Sequence, residues 1–167
     1  MEIDKYILGE TKKEFVCISE EDNQQIAVSM IEQTALHLDI LSRDFEPEVY
    51  DNQACCDAIE DLALRSRHSR IRILLDNTKI ASQRGHLILQ LGKRLGSLMQ
   101  FRSVAEAPLT ETFLIADRIG IMHRSSPNTL AASVNFKDGQ TAKKLSKLFD
   151  ELWENATPEP EARSCIL

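Results

Sequence analysis

Four histidines, four cysteines and a run of arginines are the side chains of this 167-residue sequence best equipped for chemistry. His37, His68, His86 and His123 are potential nucleophiles or general bases, but they fall in different predicted elements. None has a second His or a Cys at metal-ligand spacing, so no zinc site and no other metal is expected. Cys17, Cys55, Cys56 and Cys165 contain no C-x-x-C pair, and adjacent Cys55 and Cys56 are too close for ordinary disulfide geometry. They read as reduced thiols. Arg65, Arg67, Arg70 and Arg72, with His68 among them, form a basic cluster that could hold an anion or nucleic acid, and Arg84, Lys93, Arg94 and Arg102 could add to it. Against that reading, the whole chain carries a net charge of -6, and cations near a helix C-terminus are favoured by the helix dipole without any ligand. There is no G-x-G-x-x-G, G-x-x-x-x-G-K-[ST], H-E-x-x-H or G-x-S-x-G string. No cofactor is expected.

These residues need a scaffold, and the composition allows one. With 43% hydrophobic and 28% charged residues, the chain fits one globular domain that needs neither disulfides nor a structural metal. Met1 to Glu10 lacks the basic start and apolar run of a secretory signal, so the expected location is the cytoplasm. No apolar stretch approaches the ~20 residues that cross a bilayer. The terminal Cys165-Ile166-Leu167 has its cysteine third from the end, where prenylation requires the fourth.

Two periodicities alternate along the sequence. Glu14 to Ile18 is a short β-prone run; Ser19 with Glu20, Glu21 and Asp22 then forms a helix start, and Ile26, Met30 and Ile31 continue it to about Ala35. Leu38 to Ser42 is a strand, Phe45-Glu46-Pro47 a turn, and about Asn52 to Arg67 a second helix. Arg70 to Asp76 (RIRILLD) has the nearly unbroken apolar run of a strand covered on both faces. A helix from about Ser82 to Leu95 stops at Gly96, and Ser97 to Arg102 is the next strand. Glu111 to Ala116 and Ile119 to Arg124 form a hairpin through Asp117-Arg118, followed by a strand at Ala131 to Phe136 and a helix at Gln140 to Asn155. The fold class expected is α/β: a three-layer α-β-α sandwich around a mixed, mostly parallel sheet with a C-terminal hairpin. Residues 1–156 form one domain, of which 1–36 are an N-terminal strand and helix extension, and 157–167 are a mobile tail.

The order of these elements and several local strings resemble one half of a phospholipase D-like domain. The resemblance runs from residue 38 to 154, through LDILSRD, RIRILLD, the hairpin, Val134-Asn135-Phe136 and the helix ending KLFDELWE. That family carries H-x-K-x-x-x-x-D on the first hairpin strand and a Gly-Ser-x-Asn stretch after it. Here Thr110 stands at the histidine, Thr112 at the lysine and Asp117 at the aspartate. Downstream, Arg124 replaces the glycine, Ser125 and Ser126 follow it, and Asn128 comes one place late.

In that family the imidazole attacks phosphorus and the ammonium neutralises the phosphoryl oxygens. A threonine hydroxyl offers neither a competent nucleophile nor a positive charge. The resemblance therefore implies a catalytically inactive phospholipase D-like module with a role in binding or assembly. Its partner would be a second copy in a homodimer or an unidentified protein, with no membrane partner. Two alternatives stay open from the residues alone. One is a divergent phosphodiesterase using His123 or His86, with His123 six positions past Asp117 and turned into the same cleft. The other is an anion or nucleic-acid binding domain built on Arg65, Arg67, Arg70 and Arg72.

Overall fold

The computed structural model describes residues 2–76, 85–104 and 108–158. Eight strands form one sheet in the order β1-β7-β6-β5-β2-β3-β4-β8, with β1 Phe15–Cys17, β2 His37–Ser42, β3 Arg70–Leu75, β4 Met99–Ser103, β5 Thr112–Ala116, β6 Gly120–Arg124, β7 Ala132–Asn135 and β8 Thr157–Pro158. The helices are α1 Glu20–Gln33, α2 Pro47–Tyr50, α3 Gln53–Arg65, α4 Leu87–Leu95 and α5 Gly139–Asn155. The expected helix start between Ser82 and Arg84 lies outside the described residues.

The sheet is mixed, as expected, but parallel pairing is confined to β2 with β3 and β3 with β4; every other described pair is antiparallel. The expectation of a mostly parallel sheet is thus corrected. A parallel connection needs a crossover of a dozen or more residues, whereas β5, β6 and β7 follow one another through short connections and pair antiparallel. Thr157 and Pro158 pair with Ser103 and Arg102 on β4, so the expected mobile tail does not begin at 157. Residues 159–167, with Cys165, lie outside the described residues. Among the described residues no helix is long and apolar enough to cross a membrane.

Alternation along the strands sends side chains to two cores. Leu38, Ile40, Ile71, Ile73, Leu75, Leu114 and Met122 join Ile26, Met30 and Ile31 of α1, Ile59 and Leu62 of α3, and Ile88 and Leu91 of α4. Leu41, Leu74, Phe113, Ile115 and Ile121 pack under Leu145, Phe149 and Trp153 of α5 alone. Helices therefore lie on both faces, three long ones against one. Polar caps define where α1, α3 and α5 begin: Ser19 Oγ accepts from Asp22 N, Asn52 Oδ1 from Cys55 N, and Asp138 Oδ1 from Thr141 N. The Asp117-Arg118 turn forms as the sequence predicts, with both residues in the left-handed region at φ 50° and 57°.

Candidate functional site at the C-terminal end of strand β2

Thr112, the first residue of β5, pairs across the sheet with Arg124, the last of β6. The β2–β5 register, continued by one residue, brings Ser42 opposite Thr112. Cross-strand partners share a face, so Ser42, Thr112 and Arg124 make a polar row on the α1/α3 side. All three are buried, and Arg124 is only 1% exposed. Its guanidinium donates to Glu46 Oε2 at 3.0 Å and to Asn23 Oδ1. Asn23 is held in that orientation because its amide donates to Ser19 O at 2.8 Å and Leu130 O at 2.9 Å.

Glu46 reaches Arg124 because the backbone before it is forced. Phe45 and Glu46 both adopt positive φ, 64° and 28°, a conformation that costs on the order of 1–3 kcal/mol for a non-glycine residue. Asp44 Oδ1 accepts from Glu46 N, and the wholly buried Phe45 ring stacks on His86 and packs against Tyr50, with centroids 4.6 and 5.2 Å apart. Burial pushes the Glu46 carboxyl up, while the Arg124 guanidinium and the neighbouring Thr112 hydroxyl pull it down. Of the six buried side-chain polar atoms without a hydrogen-bond partner among the described residues, four gather here: Ser42 Oγ, Glu46 Oε1, Thr112 Oγ1 and Arg124 Nε. Beside them opens a cavity of about 230 Å³, lined in part by Arg43, Glu48, Asn128 and Thr129.

The remaining pattern positions divide. Thr110 is exposed and precedes β5, and Ser125 is exposed. Asn128 belongs to the cavity rim, where its Oδ1 accepts from Arg43 at 2.8 Å, and Ser126 Oγ accepts from Asn128 N beside it. Asp117 lies at the other end of β5. Its carboxylate accepts from Ala35 N, Leu36 N and His37 N at 2.6, 2.9 and 2.9 Å, tying the hairpin to the start of β2. The aspartate thus serves the fold, at the end of β5 away from Thr112 and Arg124.

Both histidines of the alternative reading have partners of their own. His123 pairs with Phe113 and Ser133, one residue out of phase with Arg124. It therefore lies on the α5 face, bound to Glu111 at 2.9 Å, which corrects the expectation that it shares a cleft with Asp117. His86 is 1% exposed and caps α4: its Nδ1 accepts from Ile88 N at 3.2 Å. That leaves the proton on Nε2, which donates to Phe45 O at 3.0 Å. Burial holds His86 below its ordinary pKa, and in this tautomer the one ring lone pair is already engaged by Ile88 N. Among the described residues there is no cluster of three or more His, Cys, Asp or Glu suited to a metal ion.

The arginine cluster also separates. Arg72 is buried and corrected from its expected anion-binding role: it donates to both oxygens of Asp39, at 2.8 and 3.1 Å, and to Asp150 at 2.8 Å. It also lies over the Phe149 ring. Arg65 donates to Thr34 O at 2.5 Å, Arg94 faces Glu60, and Arg102 lies on Trp153. Arg84 lies outside the described residues. Arg67 and Arg70 remain exposed. Sequence reading missed Asn23 and Glu46; the only trace is polar residues at the ends of apolar runs.

Comparison with known proteins agrees with this architecture. The model of a family described as Domain of unknown function (DUF7931) matches residues 19–165. No curated protein matches the sequence. Among solved structures, Nuc from Salmonella typhimurium, a phospholipase D family member, is 15% identical with a TM-score of 0.63, over 91% of this chain and 100% of its own. NucT from Helicobacter pylori is 13% identical with a TM-score of 0.68, over 88% and 99%. The archaeal chromatin protein TrmBL2 is 16% identical with a TM-score of 0.63 over 90% of this chain, which spans 55% of TrmBL2. The fold is phospholipase D-like.

Proposed function

The chain belongs to the family described as Domain of unknown function (DUF7931), and from the rebuilt end of its sheet we propose that it is a phospholipase D-like module that does not cleave phosphodiesters and acts in binding or assembly. One observation carries this reading. Where the resemblance puts the family's lysine stands Thr112, 1% exposed beneath a buried Arg124–Glu46 ion pair. A hydroxyl so enclosed cannot meet a phosphorus atom, even with the Glu46 carboxylate nearby as a base. The nearest cation, Arg124, has its charge balanced by Glu46 already, and Arg43 at the cavity rim is engaged by the Asn128 side chain. Thr110 is accessible, but among the described residues its hydroxyl makes no hydrogen bond to a base, the neighbouring Glu111 being bound to His123, and an unactivated threonine hydroxyl is a weak nucleophile.

The test is hydrolysis of bis(4-nitrophenyl) phosphate by the full chain. The expected result is no turnover above background. Turnover that disappears in Thr110→Ala or Thr112→Ala overturns the reading. For the assembly role the homodimer implied by the resemblance is the first expectation, supported by β1, which ends the sheet among the described residues and where Val16 in the strand and Ile18 just after it stand 61% and 71% exposed. Sedimentation should give a dimer at micromolar concentration that Val16→Lys weakens; a monomer at that concentration removes self-association.

A further inference from the structure

The N-terminal ends of β3 and β4 enclose a second cavity of about 280 Å³, at the opposite end of the sheet from Glu46 and Arg124. Arg67, His68, Ser69, Arg70, Ser97 and Gln100 contribute its polar lining, and no carboxylate is among them. Every one of these side chains can donate a hydrogen bond. Among the described residues neither Arg67 nor Arg70 is paired with a carboxylate; Arg67 Nε makes only a long 3.4 Å contact to His68 Nε2. Ser69 Oγ is buried and has no hydrogen-bond partner among the described residues. The helix dipole does not account for these cations. Arg65 is the residue that ends α3 and uses its guanidinium on Thr34 O, whereas Arg67 and Arg70 lie beyond the helix.

We infer that this cavity is a binding site for a small phosphate-class oxyanion, held between the Arg67 and Arg70 guanidiniums with Ser69 and Ser97 as hydroxyl donors. A planar guanidinium fork matches the tetrahedral oxyanion by paired N–H···O bonds, each stronger than a neutral hydrogen bond. Size favours a small ligand: the cavity lies just below the ~300–1,000 Å³ of pockets that take drug-sized molecules. A polyanion is a poorer fit, because nucleic-acid affinity grows with the number of phosphates neutralised, while this site offers two unpaired guanidiniums on a chain of net charge -6.

Isothermal titration of the full chain with inorganic pyrophosphate tests the site. Saturable 1:1 binding is expected, weakened at least tenfold in the Arg67→Gln/Arg70→Gln double variant and unchanged in Lys13→Gln, an exposed lysine elsewhere on the surface. Circular dichroism of the double variant should match the parent, since both arginines are exposed. No saturable heat with pyrophosphate, or equal affinity in the double variant, overturns the inference. Binding of a single-stranded oligonucleotide with steep salt dependence, without pyrophosphate binding, overturns it in favour of a nucleic-acid surface. The outcome is independent of the hydrolysis assay, which reads the other end of the sheet.

Discussion

The two ends of one sheet treat their cations in opposite ways. Beyond the C-terminal end of β2, Arg124 is 1% exposed and committed to Glu46 and Asn23. At the N-terminal end of β3, Arg67 and Arg70 are exposed and have no carboxylate partner among the described residues. The first arrangement spends its charges inside the protein and stores backbone strain at Phe45 and Glu46 to do so. The second leaves its charges free to meet a solute. A buried charge contributes to folding according to whether its partner is present, while an exposed one contributes little to folding and is available for binding.

The largest effect that separates the two ends is expected from Glu46→Ala. It leaves the Arg124 guanidinium buried without its counter-charge, and because arginine stays protonated the protein cannot escape by titration. Urea unfolding should show a loss of about 3–5 kcal/mol, the cost of breaking a buried pair from one side. Arg124→Met should cost less, because burial already pushes the Glu46 carboxyl up and the orphaned acid can keep a proton. The sign is testable: a group raised in the folded state contributes stability that is full below its unfolded pKa and lost as pH rises through the folded value. The Arg124→Met deficit should therefore grow with pH. A loss for Glu46→Ala no larger than for an exposed site would place the pair in solvent and dissolve the contrast.

Next comes Asp117→Ala, expected to cost about 2 kcal/mol by leaving three backbone N–H groups without their acceptor. This loss should appear without any change in ligand binding or hydrolysis, since the carboxylate serves the junction of the hairpin with β2. The smaller pH effect belongs to His86. Its folded pKa is held below the ordinary histidine value by burial, so the unfolded chain binds the proton more readily, and stability should fall as pH drops below about 6.5. Thermal melts at pH 7.5 and 5.5 should show that fall in the parent and a shallower one in His86→Asn, whose side-chain oxygen can still cap α4. Equal slopes would mean His86 titrates freely.

Local signals were well written in the sequence, and non-local ones were not. The Ser19 cap, the RIRILLD strand and the Asp117-Arg118 turn depend on residues close together in the chain, and the structure has all three. The fate of Arg72 depends on Asp39 and Asp150, 33 and 78 positions away, so its burial could not be read from its arginine neighbours. Glu46 meets Arg124 across 78 positions and Asn23 meets it across 101. His123 was misjudged for a different reason. Counting strand alternation from Asp117 fails because Asp117 lies in the turn, where the period of two is broken; counting from Arg124 puts the ring on the α5 face. The sheet is less parallel than alternating strands and helices suggest, because β5, β6 and β7 are joined as successive hairpins and β1 and β8 add to it antiparallel.

The smallest effect is expected where the cations are free. Arg67→Gln/Arg70→Gln removes two exposed charges that have no carboxylate partner among the described residues, so unfolding free energy should stay within about 0.5 kcal/mol of the parent. The two arginines are near neighbours of like charge, and the loop between them is held by backbone and serine contacts, Ser69 N to Ser66 O and His68 N to Ser66 Oγ, which the substitutions leave intact. Any change should therefore be a slight gain at low ionic strength that vanishes as salt screens the repulsion. A loss of 2 kcal/mol or more would mean that these guanidiniums serve the fold as Arg124 does, and the difference between the two ends of the sheet would be one of degree.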